Sequence, residues 1–130
     1  MKELNDQSQR LVGDRFFIRK GERTVRYFYS EILYVEASGC YSRIYFRDRS
    51  TLFVTNPLVA TELLLPRNMF RRVHRSYIVN LWEIEGFVNN TICIDDILIP
   101  MSSRYREEVF GCFVFWNFRS EKKGEEDKSA

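Results

Sequence analysis

Between residues 15 and 100, apolar and polar positions follow the pattern of short strands broken by turn signals. Arg15–Lys20 and Arg23–Tyr29 flank Gly21-Glu22, a two-residue hairpin loop. Residues 31–37 (Glu31 to Ala37) alternate Ile32 and Tyr34 against Leu33 and Val35, apolar on both faces, which predicts a strand covered on two sides. Residues 41–47 (Tyr41 to Arg47) alternate most clearly. Ser42, Ile44 and Phe46 share one face; Tyr41, Arg43, Tyr45 and Arg47 share the other. Asp48-Arg49 turns the chain into a strand over 50–55. Pro57 opens a short helix, with Asn56 as its expected N-cap and Leu58, Glu62 and Leu65 at helical spacing, and Pro66 stops it.

Residues 70–73 read as a strand whose alternation fails at His74-Arg75-Ser76, before a short apolar run over 77–79. Residues 83–88 and 91–94 flank the hairpin signal Asn89-Asn90, and Asp95-Asp96 turns into a last strand over 97–100. Ser102 or Ser103 caps a final helix. Glu107 and Glu108 are expected in its first turns, where the helix dipole favours them, and Tyr105, Val109, Cys112, Phe113 and Trp116 on one face of it. The absence of alternating strands and helices argues against a doubly wound parallel sheet. The expected fold is mainly β: short antiparallel hairpins with two short helices.

Composition narrows the class. The chain has 130 residues, and a hydrophobic fraction of 45% suffices for one packed core without disulfides or metal. Three cysteines, Cys40, Cys93 and Cys112, cannot all pair within the chain and lack metal-ligand spacing, which fits a reduced, cytoplasmic protein. No apolar stretch approaches the ~18 residues of a membrane span. Residues 1–14 read as a polar arm or linker, 15–110 as the folded domain, 111–119 as an aromatic extension and 120–130 as a charged, disordered tail.

The net charge of +2 conceals a bias: of the 14 basic residues between 15 and 110, all but Lys20 are Arg. A planar five-donor guanidinium suits phosphates and base edges better than an ammonium does.

Catalytic chemistry finds little support. His74 is the one histidine, no nucleophile elbow is present, and scattered cysteines make no zinc site. No enzyme activity, cofactor or metal is expected. Three segments instead break the strand periodicity with basic and small polar residues: 38–43 around Gly39, 70–76, and 101–106 at a helix N-terminus. In the second, Arg71, Arg72, His74 and Arg75 crowd together, an arrangement that phosphates would neutralise. The third carries Arg104 where free N–H groups favour an anion. RNA is the weaker candidate, because the RRM signature is absent and most aromatics alternate as core residues do.

Four segments together resemble the LytTR DNA-binding domain of bacterial response regulators. They are Glu31-Ile32-Leu33-Tyr34-Val35-Glu36-Ala37, Gly39-Cys40-Tyr41-Ser42, Phe70-Arg71-Arg72-Val73-His74-Arg75-Ser76-Tyr77-Ile78-Val79-Asn80, and Ile97-Leu98-Ile99-Pro100-Met101-Ser102-Ser103-Arg104-Tyr105-Arg106. The resemblance covers about residues 15–110. It implies an elongated arrangement of three small antiparallel sheets, about ten strands, with two or three short helices. It implies a sequence-specific transcription regulator of two-component systems that inserts loops, not a recognition helix, into successive major grooves of direct-repeat DNA. Carried over by position, the loops fall on Tyr41, Ser42 and Arg43, on His74, Arg75 and Ser76, and on Arg104. The expected base contacts are Ser42, Arg43, Arg75 and Arg104; the expected phosphate contacts are Tyr41, Arg71, Arg72, His74, Ser76, Ser102 and Ser103. With about six phosphates neutralised, log K is expected to fall with log[salt] at a slope near −5. The family's usual receiver domain, with its phospho-accepting Asp, has no counterpart in these residues, consistent with either an excised domain or a stand-alone regulator.

Two features fall outside that pattern. Phe110, Phe113, Phe115, Trp116 and Phe118 exceed what one small helix face buries. They either pack on the domain itself or, through Phe113, Phe115, Trp116 and Phe118, form a homodimer or partner-protein contact. The competing function is therefore a protein-interaction module that docks a partner through the Arg-rich face and this extension. Cys40, beside the first loop, reads as a small turn residue, with a redox switch as the alternative.

Overall fold

The computed structural model describes residues 11–116. Ten strands run β1 Arg15–Lys20, β2 Arg23–Phe28, β3 Ile32–Ser38, β4 Tyr41–Phe46, β5 Thr51–Val54, β6 Phe70–His74, β7 Tyr77–Asn80, β8 Gly86–Val88, β9 Thr91–Ile94 and β10 Ile97–Pro100. Two helices, α1 Leu58–Leu64 and α2 Ser103–Phe110, complete the described elements with two 3-10 turns, Tyr29–Glu31 and Leu81–Glu83. All pairings are antiparallel and form three sheets: β1-β2, β5-β4-β3-β7-β6, and β10-β9-β8.

The five-stranded sheet lies between two cores. On one face Ile32, Val35, Ile44, Phe46, Leu52, Phe70 and Ile78 pack with α1 through Leu58 and with the β1–β2 hairpin through Phe16, Ile18 and Tyr27. Tyr27 stacks on Phe46, and Phe16 stacks on Tyr27 and Tyr29. On the other face Leu33, Tyr34, Val73 and Val79 meet Ile92, Ile94 and Ile99 of the three-stranded sheet and Val109 of α2. The apolar run Ile32-Leu33-Tyr34-Val35 is buried throughout because a register shift between Ile32 and Tyr34 sends Leu33 and Tyr34 to the same core. A strict period of two would put them on opposite faces.

A second register shift, between Arg72 and His74, is the failure of alternation visible in the sequence. It turns the fully buried Val73 into the second core and re-aims the residues that follow.

Asn80 is fully buried and both ends of its amide are used. Its Nδ2 donates to the Ile32 carbonyl (2.9 Å), and its Oδ1 accepts from the Trp82 N–H (3.0 Å). A buried amide satisfied in this way pins β7 to the start of β3. At the β4–β5 end, Arg47 grips Glu83 bidentately (3.0 and 2.6 Å). Arg49, at φ 75°, bonds Asp95 (2.8 Å) and Asp96 (3.1 Å) in the β9–β10 turn.

Three local expectations need correction. Asn56 does not cap α1: Pro57 holds the N-cap position, and its carbonyl accepts from Ala60 and Thr61. Ser102 occupies the N-cap position of α2, yet makes no side-chain capping bond. That helix ends at Phe110, so Glu107 and Glu108 fall in its second half, and Cys112, Phe113 and Trp116 follow it instead of lining its face. The Gly111 N–H bonds the Glu107 carbonyl (2.9 Å) and the chain turns away there. Phe110, Phe113 and Phe115 then gather around Phe87 of β8, with ring centroids 4.9 to 6.3 Å away. Trp116 remains 81% exposed; Phe118 and the tail lie outside the described residues.

Candidate nucleic-acid interface

Two backbone hydrogen bonds bring the three aperiodic segments together. The Ala37 N–H donates to the Ser76 carbonyl (2.9 Å), joining the end of β3 to the β6–β7 turn. The Ser102 N–H donates to the Val73 carbonyl (2.9 Å), joining the start of α2 to the bulge before that turn. Strand direction does the rest: β3 ends, β4 begins and β7 begins at the same edge. The β3–β4 turn, the β6–β7 turn and the α2 N-terminus therefore form one rim. Gly39 closes the first turn at φ 62°, a left-handed conformation that disfavours any side chain.

Arg75 is exposed, and its guanidinium has no partner among the described residues. Arg104 is exposed on the first turn of α2, its guanidinium 5.2 Å from the Tyr105 ring centre. Arg43 lies half-buried 5.2 Å from the Phe53 ring centre, and Tyr41 leans on the same ring at 5.1 Å. None of these three guanidinium groups has a carboxylate within ion-pair distance among the described residues. His74 is half-buried and its Nδ1 accepts from the Ser76 N–H (3.0 Å). The proton of the neutral ring therefore sits on Nε2, as a donor. Ser76 and Ser102 are half-buried and Ser103 is exposed.

Three predicted contacts are engaged elsewhere. Ser42 is fully buried; its hydroxyl bonds the Asn56 carbonyl (2.7 Å) and Thr61 Oγ1 (3.0 Å), so its side chain cannot reach a base edge from this position. Arg72 bonds Glu62 Oε1 of α1 (2.7 Å) and the carbonyls of His74 (2.9 Å) and Arg75 (2.7 Å). Arg71 is paired with Glu108 of α2 and donates to the Arg67 carbonyl (3.1 Å). Ser42 follows from the alternation it shares with Ile44 and Phe46. The ion pairs have no sequence signature, since their partners lie on other elements.

The sequence reading also missed two groups. Phe53 stands half-exposed between Tyr41 and Arg43, and its only signal is the alternation of a four-residue strand. Behind the rim, Glu36 accepts from the phenols of Tyr45 (2.8 Å) and Tyr77 (3.2 Å), while Tyr34 stacks on Tyr45 at 4.3 Å. Burial, and then the bond to anionic Glu36, push the Tyr45 phenol up to about 12. Burial first and Glu36 second raise Tyr34 and Tyr77 as well.

The native state thus keeps a proton that the unfolded chain releases near pH ~10. The contribution is whole below about pH 10 and is lost as the pH rises through the folded value. Thermal melts across the alkaline range will show a melting temperature that falls with pH in this window. In Tyr45→Phe that slope will be shallower; an unchanged slope counts against the assignment.

An antiparallel framework with guanidinium groups gathered on one rim is suited to holding a polyanion, and no cluster of metal-ligating residues occurs among the described residues. The class it defines is a nucleic-acid-binding β domain. The chain belongs to the LytTR DNA-binding domain family, whose profile matches residues 22–112. The fold is that of a solved LytTr DNA-binding domain from a Bacillus cereus protein described as a methyl-accepting/DNA response regulator. The two share 23% identity and superpose with a TM-score of 0.63 over 78% of this chain and 98% of that one. A search of curated proteins finds no significant match. No helix among the described residues is long and apolar enough to cross a membrane.

Proposed function

We propose that this chain is a cytoplasmic, sequence-specific double-stranded-DNA-binding regulator of transcription that acts by binding and not by catalysis. Its turns would enter successive major grooves of a direct-repeat site. Arg75 and Arg104 read base edges, with Arg43 on the adjacent part of the site; Tyr41, His74 through Nε2–H, Ser76, Ser102 and Ser103 hold phosphates. The observation that carries this reading is the pair of exposed guanidinium groups, Arg75 and Arg104, neither with a carboxylate partner among the described residues, on segments tied together by the Ser102–Val73 backbone bond. Two forks whose backbone attachments are tied together can address one groove in a fixed register, which arginines on independent loops cannot.

Selection from a random duplex library tests it. Enrichment of a direct repeat is the expected result. Recovery of no preferred sequence would favour the protein-interaction module instead. That module has less to stand on, because Phe113 and Phe115 are engaged with Phe87; a homodimer or partner contact would rest mainly on Val114 and Trp116, both over 80% exposed.

A further inference from the structure

We infer that Arg72 is a positioning residue for base reading, held by Glu62, and not a phosphate ligand. The inference deepens the proposed reading role of Arg75 and rests on it. Arg72 projects from β6 towards α1. Its Nε–H donates to the His74 carbonyl and its Nη2 to the Arg75 carbonyl, the two residues that open the turn. Its Nη1 meets Glu62, which fixes the plane of the fork. The same turn is braced twice more, by the Ser76 N–H on His74 Nδ1 and by the Ala37 N–H on the Ser76 carbonyl. With both carbonyls and the following amide occupied, the backbone beneath Arg75 is fixed, and with it the direction in which the side chain leaves the turn.

The anchor is itself anchored. Thr61, beside Glu62 on α1, bonds the buried hydroxyl of Ser42 on β4. Ser42 thereby serves the rim from inside, through Thr61, α1, Glu62 and Arg72. The Arg72 side chain is 17% exposed and that of Glu62 is 27% exposed. To meet a phosphate, the guanidinium would have to abandon a half-buried carboxylate and two carbonyls at once. Lysine cannot replace it, because a single ammonium does not span three acceptors in a plane.

Arg72→Lys and Glu62→Gln test this by two routes. Backbone 15N relaxation of the free, folded chain needs no DNA. In Arg72→Lys the order parameters of residues 74–76 will drop from about 0.85, typical of rigid backbone, towards about 0.6, while signals from the three-stranded sheet stay unchanged. Glu62→Gln, which keeps all of Arg72's donors and is the fallback if Arg72→Lys does not fold, will shift them in the same direction by less.

On DNA, the duplex selected by the wild-type chain is compared with the same duplex altered at the base pair that Arg75 reads. Arg72→Lys will shrink that discrimination about tenfold, within the range of one bidentate base contact, and leave random-duplex affinity and salt slope at wild-type values. A turn that stays rigid in both variants overturns the inference. So does a uniform loss of affinity with a salt slope shallower by about one unit in Arg72→Gln, which removes the charge that Arg72→Lys keeps; that is the mark of a phosphate contact. If Arg75→Ala leaves discrimination intact, the reading role of Arg75 fails by itself, and the relaxation measurement still decides what Arg72 does to the turn.

Discussion

Arg75→Ala will lose about 5- to 150-fold in preference for the selected site over a duplex changed at one base pair, the ~1–3 kcal/mol of a bidentate guanine contact. Its affinity for random duplex will fall far less. The reason lies in what surrounds the side chain. Its carbonyl is held by Arg72 and its guanidinium is held by nothing described, so truncation removes a donor fork without disturbing the turn. Stability should therefore stay within the ~0.5 kcal/mol usual for surface substitutions. Titrations of the selected duplex, its one-base variant and a random duplex at one salt concentration measure this. Equal losses on all three would make Arg75 a phosphate contact and remove the main argument for sequence reading.

Most strands were legible because one face of each is buried and the other is not, and a period of two cannot be mistaken where apolar and charged residues alternate, as over 41–47. The two register shifts were visible only as disturbance. Around His74 the pattern broke without saying why; a bulge that buries Val73 explains it. The ends of α2 were misplaced because Phe113 and Trp116 fit a helical period, although they pack beyond Gly111.

The candidate site divides the same way. The three segments that meet on the rim are the ones where the periodicity fails in the sequence. The function of each arginine was not legible, because an Arg is free or spent according to which carboxylate the fold brings to it. Glu62 is ten positions from Arg72 and Glu108 is 37 from Arg71. Arginine enrichment, taken from composition as a sign of nucleic-acid chemistry, is thus partly a framework property. Arg47, Arg49, Arg67, Arg71 and Arg72 all tie elements together.

That division changes the salt dependence expected of DNA binding. A count from sequence, with Arg71 and Arg72 among the phosphate ligands, gives about six neutralised phosphates and a slope near −5, or about a 1,000-fold loss between roughly 50 and 200 mM salt. Arg72 is paired with Glu62, and Arg71 is engaged by Glu108, which it shares with Arg67; if both stay engaged in the complex, about two fewer phosphates are neutralised, the slope moderates to about −3.6, and the loss over the same range is about 150-fold. Arg71→Ala separates the two counts. If Arg71 meets a phosphate, its removal flattens the slope by about one unit. If Glu108 holds it in the complex as in the free chain, the slope stays within about half a unit of wild type. The second result is expected, because gaining an exposed phosphate contact would mean giving up both the Glu108 pair and the bond to the Arg67 carbonyl. A slope near −5 for the wild type, flattened in Arg71→Ala, would show that DNA prises Arg71 from α2, and that the free structure understates the charge the complex uses.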